Sequence, residues 1–176
     1  MTNHPQQFVN YHFWATQTLL EHIKTLPSGV LTQEVNTSFP TIAHAFSHIY
    51  AVDQVWNSVV NGRGMKEALE ECMPRVHETV LYTADEFAEA FARLAENYQE
   101  WFRSGPDLTR TILLENPYIG PRNTTLEEIV HHAVNHGTYH RGNISAMLRQ
   151  LGHASTMNDY ILYWYQEQAT SNTYID

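Results

Sequence analysis

Three histidines spaced four apart within one long helical pattern constrain this chain more than any other feature. The stretch His131-His132-Ala133-Val134-Asn135-His136-Gly137-Thr138-Tyr139-His140-Arg141-Gly142-Asn143 carries His132, His136 and His140. Residues four apart lie one above another on a helix face. Imidazole is also the commonest protein ligand for borderline divalent metals. The helical pattern opens at Asn123-Thr124-Thr125, with Glu127 and Glu128 in the first turn, where acids suit the positive helix end. It runs to Leu151-Gly152, a glycine-terminated end. At about 100° of rotation per residue, Leu126, Ile129, Ala133, Ile144, Met147 and Leu151 gather on one stripe. His140 falls about 20° from the centre of that stripe, His136 about 60° and His132 about 100°, while His131 points to the opposite side. His136 and His140 form the inward pair, and His132 is a border residue.

Two imidazoles do not make a tight site, so a metal needs a third ligand from another helix. The segment Ile42 to Trp56 offers His44 and His48. His48 has Ala45, Val52 and Val55 as its i−3, i+4 and i+7 neighbours, at the edge of an apolar stripe, and His44 lies further from its centre. Helix geometry therefore favours His48. The competing reading makes these histidines hydrogen-bonded core or boundary residues. Their density keeps the metal reading in play: of 11 histidines, five lie between His131 and His153. His4, His12, His22, His77 and His153 read as solvated or structural.

Three further helical patterns precede this one. The first runs from Pro5 to Leu26, with Phe8, Tyr11, Trp14, Leu19 and Ile23 at helical spacing, and Pro27-Ser28-Gly29 ends it. The second runs from Pro40-Thr41 to Val60. The third follows Thr83, an N-cap with Glu86 three residues on, and closes at Ser104-Gly105-Pro106. Thr109 to Pro121 reads as a short extended or hairpin excursion, and a shorter Tyr-rich helix is predicted over Asn158 to Gln168. Long helices joined by mostly short loops predict an all-α fold. The expected architecture is an antiparallel four-helix bundle with a short additional C-terminal helix and a small hairpin excursion between helices three and four. Residues 1–176 are read as a single domain.

Composition narrows the function classes. The formal net charge is −9, and the 10 Lys and Arg are scattered, so no basic patch suits a nucleic-acid partner. No apolar run approaches the roughly 20 residues of a membrane span. The polar start, Met1 to Gln7, lacks the features of a signal peptide. The single cysteine, Cys72, permits no internal disulfide, which fits a reducing, cytoplasmic setting. Its flanking Glu70 and Glu71 disfavour a reactive thiolate.

His136-Gly137-Thr138-Tyr139-His140-Arg141-Gly142, continued by Ile144 to Gly152, resembles the final-helix signature of the DinB/YfiT-like metalloprotein superfamily. Tyr11 to Leu20, with its Trp14-Ala15 pair, resembles the opening helix of that family. His48 to Trp56 resembles its second-helix ligand segment, and Asn158 to Trp164 its closing helix. The resemblance implies a helical bundle with one divalent metal held by three histidines, here His48, His136 and His140. Many relatives read His-Arg-Gly-Gln, whereas Asn143 follows Gly142 here, which leaves open any contact made by that Gln. The resemblance further implies a homodimer and, for some members, S-transfer or hydrolysis with a low-molecular-weight thiol.

Three neutral imidazoles leave a coordination position open, the pattern of catalytic rather than structural zinc sites. The expected function is therefore a metal-dependent thiol transferase or hydrolase acting on a small-molecule electrophile or thiol. His132, Asn135, Tyr139 and Arg141 are candidate contacts to the metal ligands or the substrate, or simply polar surface. Zinc, nickel and iron all suit three imidazoles. The sequence shows no Glu or Asp beside the histidine pair to act as a base, which favours the alternative of a non-catalytic metal-binding stress protein. A helical interaction module with incidental histidines would bind no stoichiometric metal. The cluster of Tyr160, Tyr163, Trp164 and Tyr165 suits either a dimer surface or packing of the last helix.

Overall fold

Helices form where the apolar spacing and the caps agree, and most of the chain is helical in the computed structural model. It describes the backbone of residues 4–172 and the side chains of residues 4–166; Met1, Thr2 and Asn3 of the polar start lie outside it. In order the elements are α1 (His4–Lys24), α2 (Ile42–Val60), α3 (Met65–Cys72), α4 (Val76–Thr79), α5 (Ala84–Arg103), β1 (Thr111–Asn116), β2 (Gly120–Thr125), α6 (Leu126–Gln150) and α7 (Tyr160–Asn172). No helix among the described residues is long and apolar enough to cross a membrane.

Threonine starts three of the long helices. Thr41 accepts the His44 backbone N–H. Thr83 and Thr125 each form a reciprocal capping box with the glutamate three residues on, so two otherwise orphaned donors are met at each end. α1 packs against both α5 and α6, and α2 packs on α6 with α3 against it. Between these helices Leu19, Leu20, Phe46, Ile49, Phe87, Phe91, Ile144, Met147 and Leu148 are closed to solvent. Along α1, Tyr160 of α7 stacks on Phe8 at 4.8 Å and Tyr163 meets Trp14 at 5.6 Å. Ile161, Trp164 and Tyr165 face outward. The aromatic cluster of α7 is thus divided between packing and exposed surface.

Two differences from the sequence reading have physical causes. The class is mostly helical with a small antiparallel sheet, not purely α. β1 and β2 pair from Thr111↔Thr125 to Asn116↔Gly120. The turn closes through Asn116 Oδ1, which accepts from the backbone N–H groups of Tyr118 and Ile119, and through Gly120 at φ +91°. Asn123, Thr124 and Thr125, read as the opening of the fourth helix, are strand residues. β-Branched threonine suits a pleated surface, and α6 begins one residue beyond the cap. The other difference is the helical stretch between α2 and α5. In α3 only Met65, Ala68 and Cys72 are buried, at spacings of three and four, too short a pattern to stand out by periodicity. A 3₁₀ turn at Met73–Arg75, containing Pro74, separates α3 from α4.

The Thr125 cap ties the end of the sheet to the start of the histidine helix. Thr125→Ala is expected to lower stability in urea unfolding by about 1 kcal/mol; an unchanged midpoint would show that the cap contributes nothing to holding α6.

Candidate metal centre

α2 and α6 cross where each presents histidines. Four-residue spacing stacks His136 and His140 on one face of α6, and the facing turn of α2 supplies His48. One ligating atom from each of the three lies within 4.8 Å of the others. His48 Nε2 is 3.1 Å from His136 Nε2. Two nitrogens bound to one zinc at about 2.0–2.1 Å in tetrahedral geometry stand about 3.3 Å apart, so the spacing is that of shared ligands. The ring centroids of His48 and His140 are 4.6 Å apart, and those of His136 and His140 4.4 Å. Phe39, from the loop before α2, contacts both His48 and His140 at 5.3 Å and walls one side.

Burial keeps these rings neutral. Loss of water lowers the pKa of His48, and it lowers that of His136 to about 3, with the neighbouring histidines adding repulsion. His140 falls to about 4, first through burial and then through His48. The Asp53 carboxylate opposes the shift at His48 and His140. Neutral imidazole is the form that ligates. A cation between the facing nitrogens would replace the proton that two such rings must otherwise share. His136 Nδ1 is buried without a partner. The Asn143 amide lies 3.3 Å from His140 Nδ1, placed to orient that ring from behind. The donor set suits a borderline divalent metal.

Comparison with known proteins identifies the family. The DinB family model matches residues 1–172. The chain belongs to the DinB family. Protein DinB of Bacillus subtilis (strain 168) is 37% identical over 163 residues, covering 93% of this chain and 95% of that protein. The crystal structure of a DinB-like protein from Bacillus cereus ATCC 10987 shares the fold, with a TM-score of 0.61 at 22% identity, over 84% of this chain and 91% of that one.

Behind the histidine cluster of this DinB chain runs a buried polar chain that links α1, α2 and α6. Arg141 is 1% exposed, and its Nη1 lies 2.8 Å from His12 Nδ1. Arginine can only donate, so His12 Nδ1 accepts and the ring proton sits on Nε2. That proton is donated to Asp53 Oδ2 at 2.7 Å. Arg141 also donates to Thr138 Oγ1 at 2.9 Å and lies over the Tyr11 ring at 5.4 Å. Gly137, between two of the clustered histidines, makes room for this arrangement. A Cβ there would lie 2.1 Å from His12 Cε1 and 2.4 Å from His12 Nδ1.

His48, His136 and His140 meet as the sequence reading expected, and His44 turns away to Thr41 Oγ1 at 2.8 Å. His132 stays apart, its ring edge-on to Trp56 at 4.9 Å and 6.3 Å from His136. Tyr139 is exposed, edge-on to His140 at 5.0 Å. Arg141 faces the interior and reaches His12 instead of the surface of the site. The carboxylate missing from the α6 sequence comes from α2, as Asp53. His12, read from the sequence as solvated or structural, is buried and structural, and Asp53 went unremarked because its burial depends on a ring supplied by another helix. The signal that could have found them is Gly137, a helix-interior glycine that local propensity disfavours.

Two outcomes follow from this packing. Gly137→Ala drives a methyl into a ring that Asp53 and Arg141 hold in place, so it should cost about 1–3 kcal/mol in chemical denaturation; wild-type stability would show that His12 moves freely. The second outcome concerns pH. Unfolded imidazoles take up protons near 6.5, whereas folded His136 does so only near 3 and His140 near 4. Between these values the unfolded chain binds more protons, so stability rises with pH and is lost on acidification. The melting temperature of metal-free protein should fall from pH 7 to pH 4, less steeply in His136→Ala; equal slopes would assign the loss to other groups.

Proposed function

We propose that this chain is a metal-dependent enzyme of the DinB type, with His48, His136 and His140 holding one divalent transition metal. The reaction class is transfer of a low-molecular-weight thiol to a small electrophile, or hydrolysis. The observation that carries this reading is the convergence of three ring nitrogens from two helices within 4.8 Å, in surroundings that hold two of the rings neutral far below their ordinary range. When bound, such a metal supplies Lewis acidity that favours the deprotonated, nucleophilic form of water or a thiol. The chain's own residues do the rest. Phe39 excludes water from one side of His48 and His140, and Asn143 orients His140. The chain from Arg141 through His12 to Asp53 holds α6 against α2. In this reading residues 1–176 form one domain, the working unit is a homodimer, and the compartment is the cytoplasm.

One observation supports a second reading, metal binding without turnover: Asp53 Oδ2 is committed to His12, which leaves that oxygen unable to serve as a base. Elemental analysis of untagged protein is expected to give about one zinc, nickel or iron per chain, lost in His48→Ala, His136→Ala and His140→Ala with helix content retained. No stoichiometric metal after reconstitution would overturn both readings. Stoichiometric metal, with no turnover across a panel of cellular thiols and electrophiles, would select the second.

A further inference from the structure

Beneath the β1–β2 hairpin, beside the histidine cluster, lies a cavity of about 490 Å³. Small-molecule sites commonly occupy about 300–1,000 Å³. Trp56 of α2 and Ile129 of α6 form its buried base, and Leu114 and Ile119 of the hairpin form the opposing apolar wall. Ile119 is 87% exposed, a large apolar side chain left in solvent at the lip of an apolar cavity.

On its α6 side the polar rim carries His131, His132 and Asn135, and on its hairpin side it is unbalanced toward donors. The Glu128 carboxylate accepts from Arg122 Nη2, Thr124 Oγ1 and the Thr125 backbone N–H. Asn116 Oδ1 accepts from the Tyr118 and Ile119 backbone N–H groups. These acceptors are committed. The Asn116 amide N–H₂ and the remaining guanidinium N–H groups of Arg122 stay available as donors. The hairpin side of the rim therefore recognises oxygen acceptors.

The cavity adjoins the histidine cluster through one residue. His132 lines it, meets Trp56 at 4.9 Å, and lies one helical turn before His136, with the two rings 6.3 Å apart. From this juxtaposition we propose that the cavity under the hairpin binds the organic substrate: an apolar, aromatic-sized body against Trp56 and Ile129, with a carbonyl or carboxylate oxygen toward Asn116 and Arg122. Naming the bound molecule as substrate rests on the metal-enzyme reading above; the binding itself does not.

The test uses 2-naphthoate, an aromatic carboxylate of suitable size, titrated calorimetrically into metal-free and zinc-loaded full-length protein. One molecule is expected to bind per chain in both forms. Leu114→Trp fills the cavity, and Ile119→Ser removes apolar wall at an exposed position where the fold is not at stake. Each should weaken binding by about tenfold or more, as for lost apolar pocket contacts, with the helical circular dichroism unchanged. Arg122→Gln should weaken 2-naphthoate more than the neutral ketone 2-acetylnaphthalene. Weakening in either folded apolar variant supports the assignment. Absence of saturable binding, or binding undiminished in both variants, overturns it. Because the metal-free protein is measured directly, a failed metal assay leaves this result standing, and a failed titration leaves the metal reading standing.

Discussion

The contact of the His12 ring with the bare backbone of Gly137 sets the geometry on which the rest of the structure depends. It lets α1 approach α6 at the level where α6 presents His136 and His140. The same ring reaches Asp53 on α2, five residues after His48. One imidazole thus gauges the separation of the two helices whose histidines must meet. A buried guanidinium and a buried carboxylate are each costly alone. Bridged by a ring that accepts from one and donates to the other, they become a spacer that resists compression and separation alike.

That spacer bears on the chemistry in front of it. Partial burial withdraws water from the three imidazoles, and protonated neighbours would repel one another, so the folded chain holds them neutral. The cost of this crowding appears as sensitivity to acid and not as disorder, because the helices carrying the rings are fixed from behind. Phe39 completes the enclosure from the loop side, and the Asn143 amide meets the outer nitrogen of His140. The position where the resemblance led one to expect glutamine is therefore filled by a shorter amide that still reaches a histidine of the cluster.

Much of this was legible in the sequence because it is local. Helical spacing of Phe, Trp, Leu and Ile located the long helices, and Thr83 with Glu86 marked a start. Four-residue spacing put His136 and His140 on one face, and its apolar neighbours favoured His48 over His44. What was not legible is what distant segments do to one another. Asp53 reads as an ordinary acid within α2, and its burial depends on α1 supplying His12. Arg141 looked like a surface contact because charge is usually solvated, yet it is among the largest buried side chains of the described residues. Thr109 to Pro121 was legible as an extended or hairpin excursion, but the end of its second strand was read as the start of a helix, since strand pairing is fixed by register and turn, not by periodicity. Met65, Ala68 and Cys72 were too few to announce α3.

Thr125 belongs to two elements at once. It pairs with Thr111 at the end of the sheet and caps the helix that carries His136 and His140. No loop therefore separates β2 from α6, and the hairpin stands directly on that helix. Only its tip, Pro117-Tyr118-Ile119, lies outside the paired register. A chain built this way divides its freedom: the tip can change in length or character over evolutionary time while the three imidazoles stay where they are. Tolerance of change and constancy of position thereby fall to adjoining stretches of a single continuous segment.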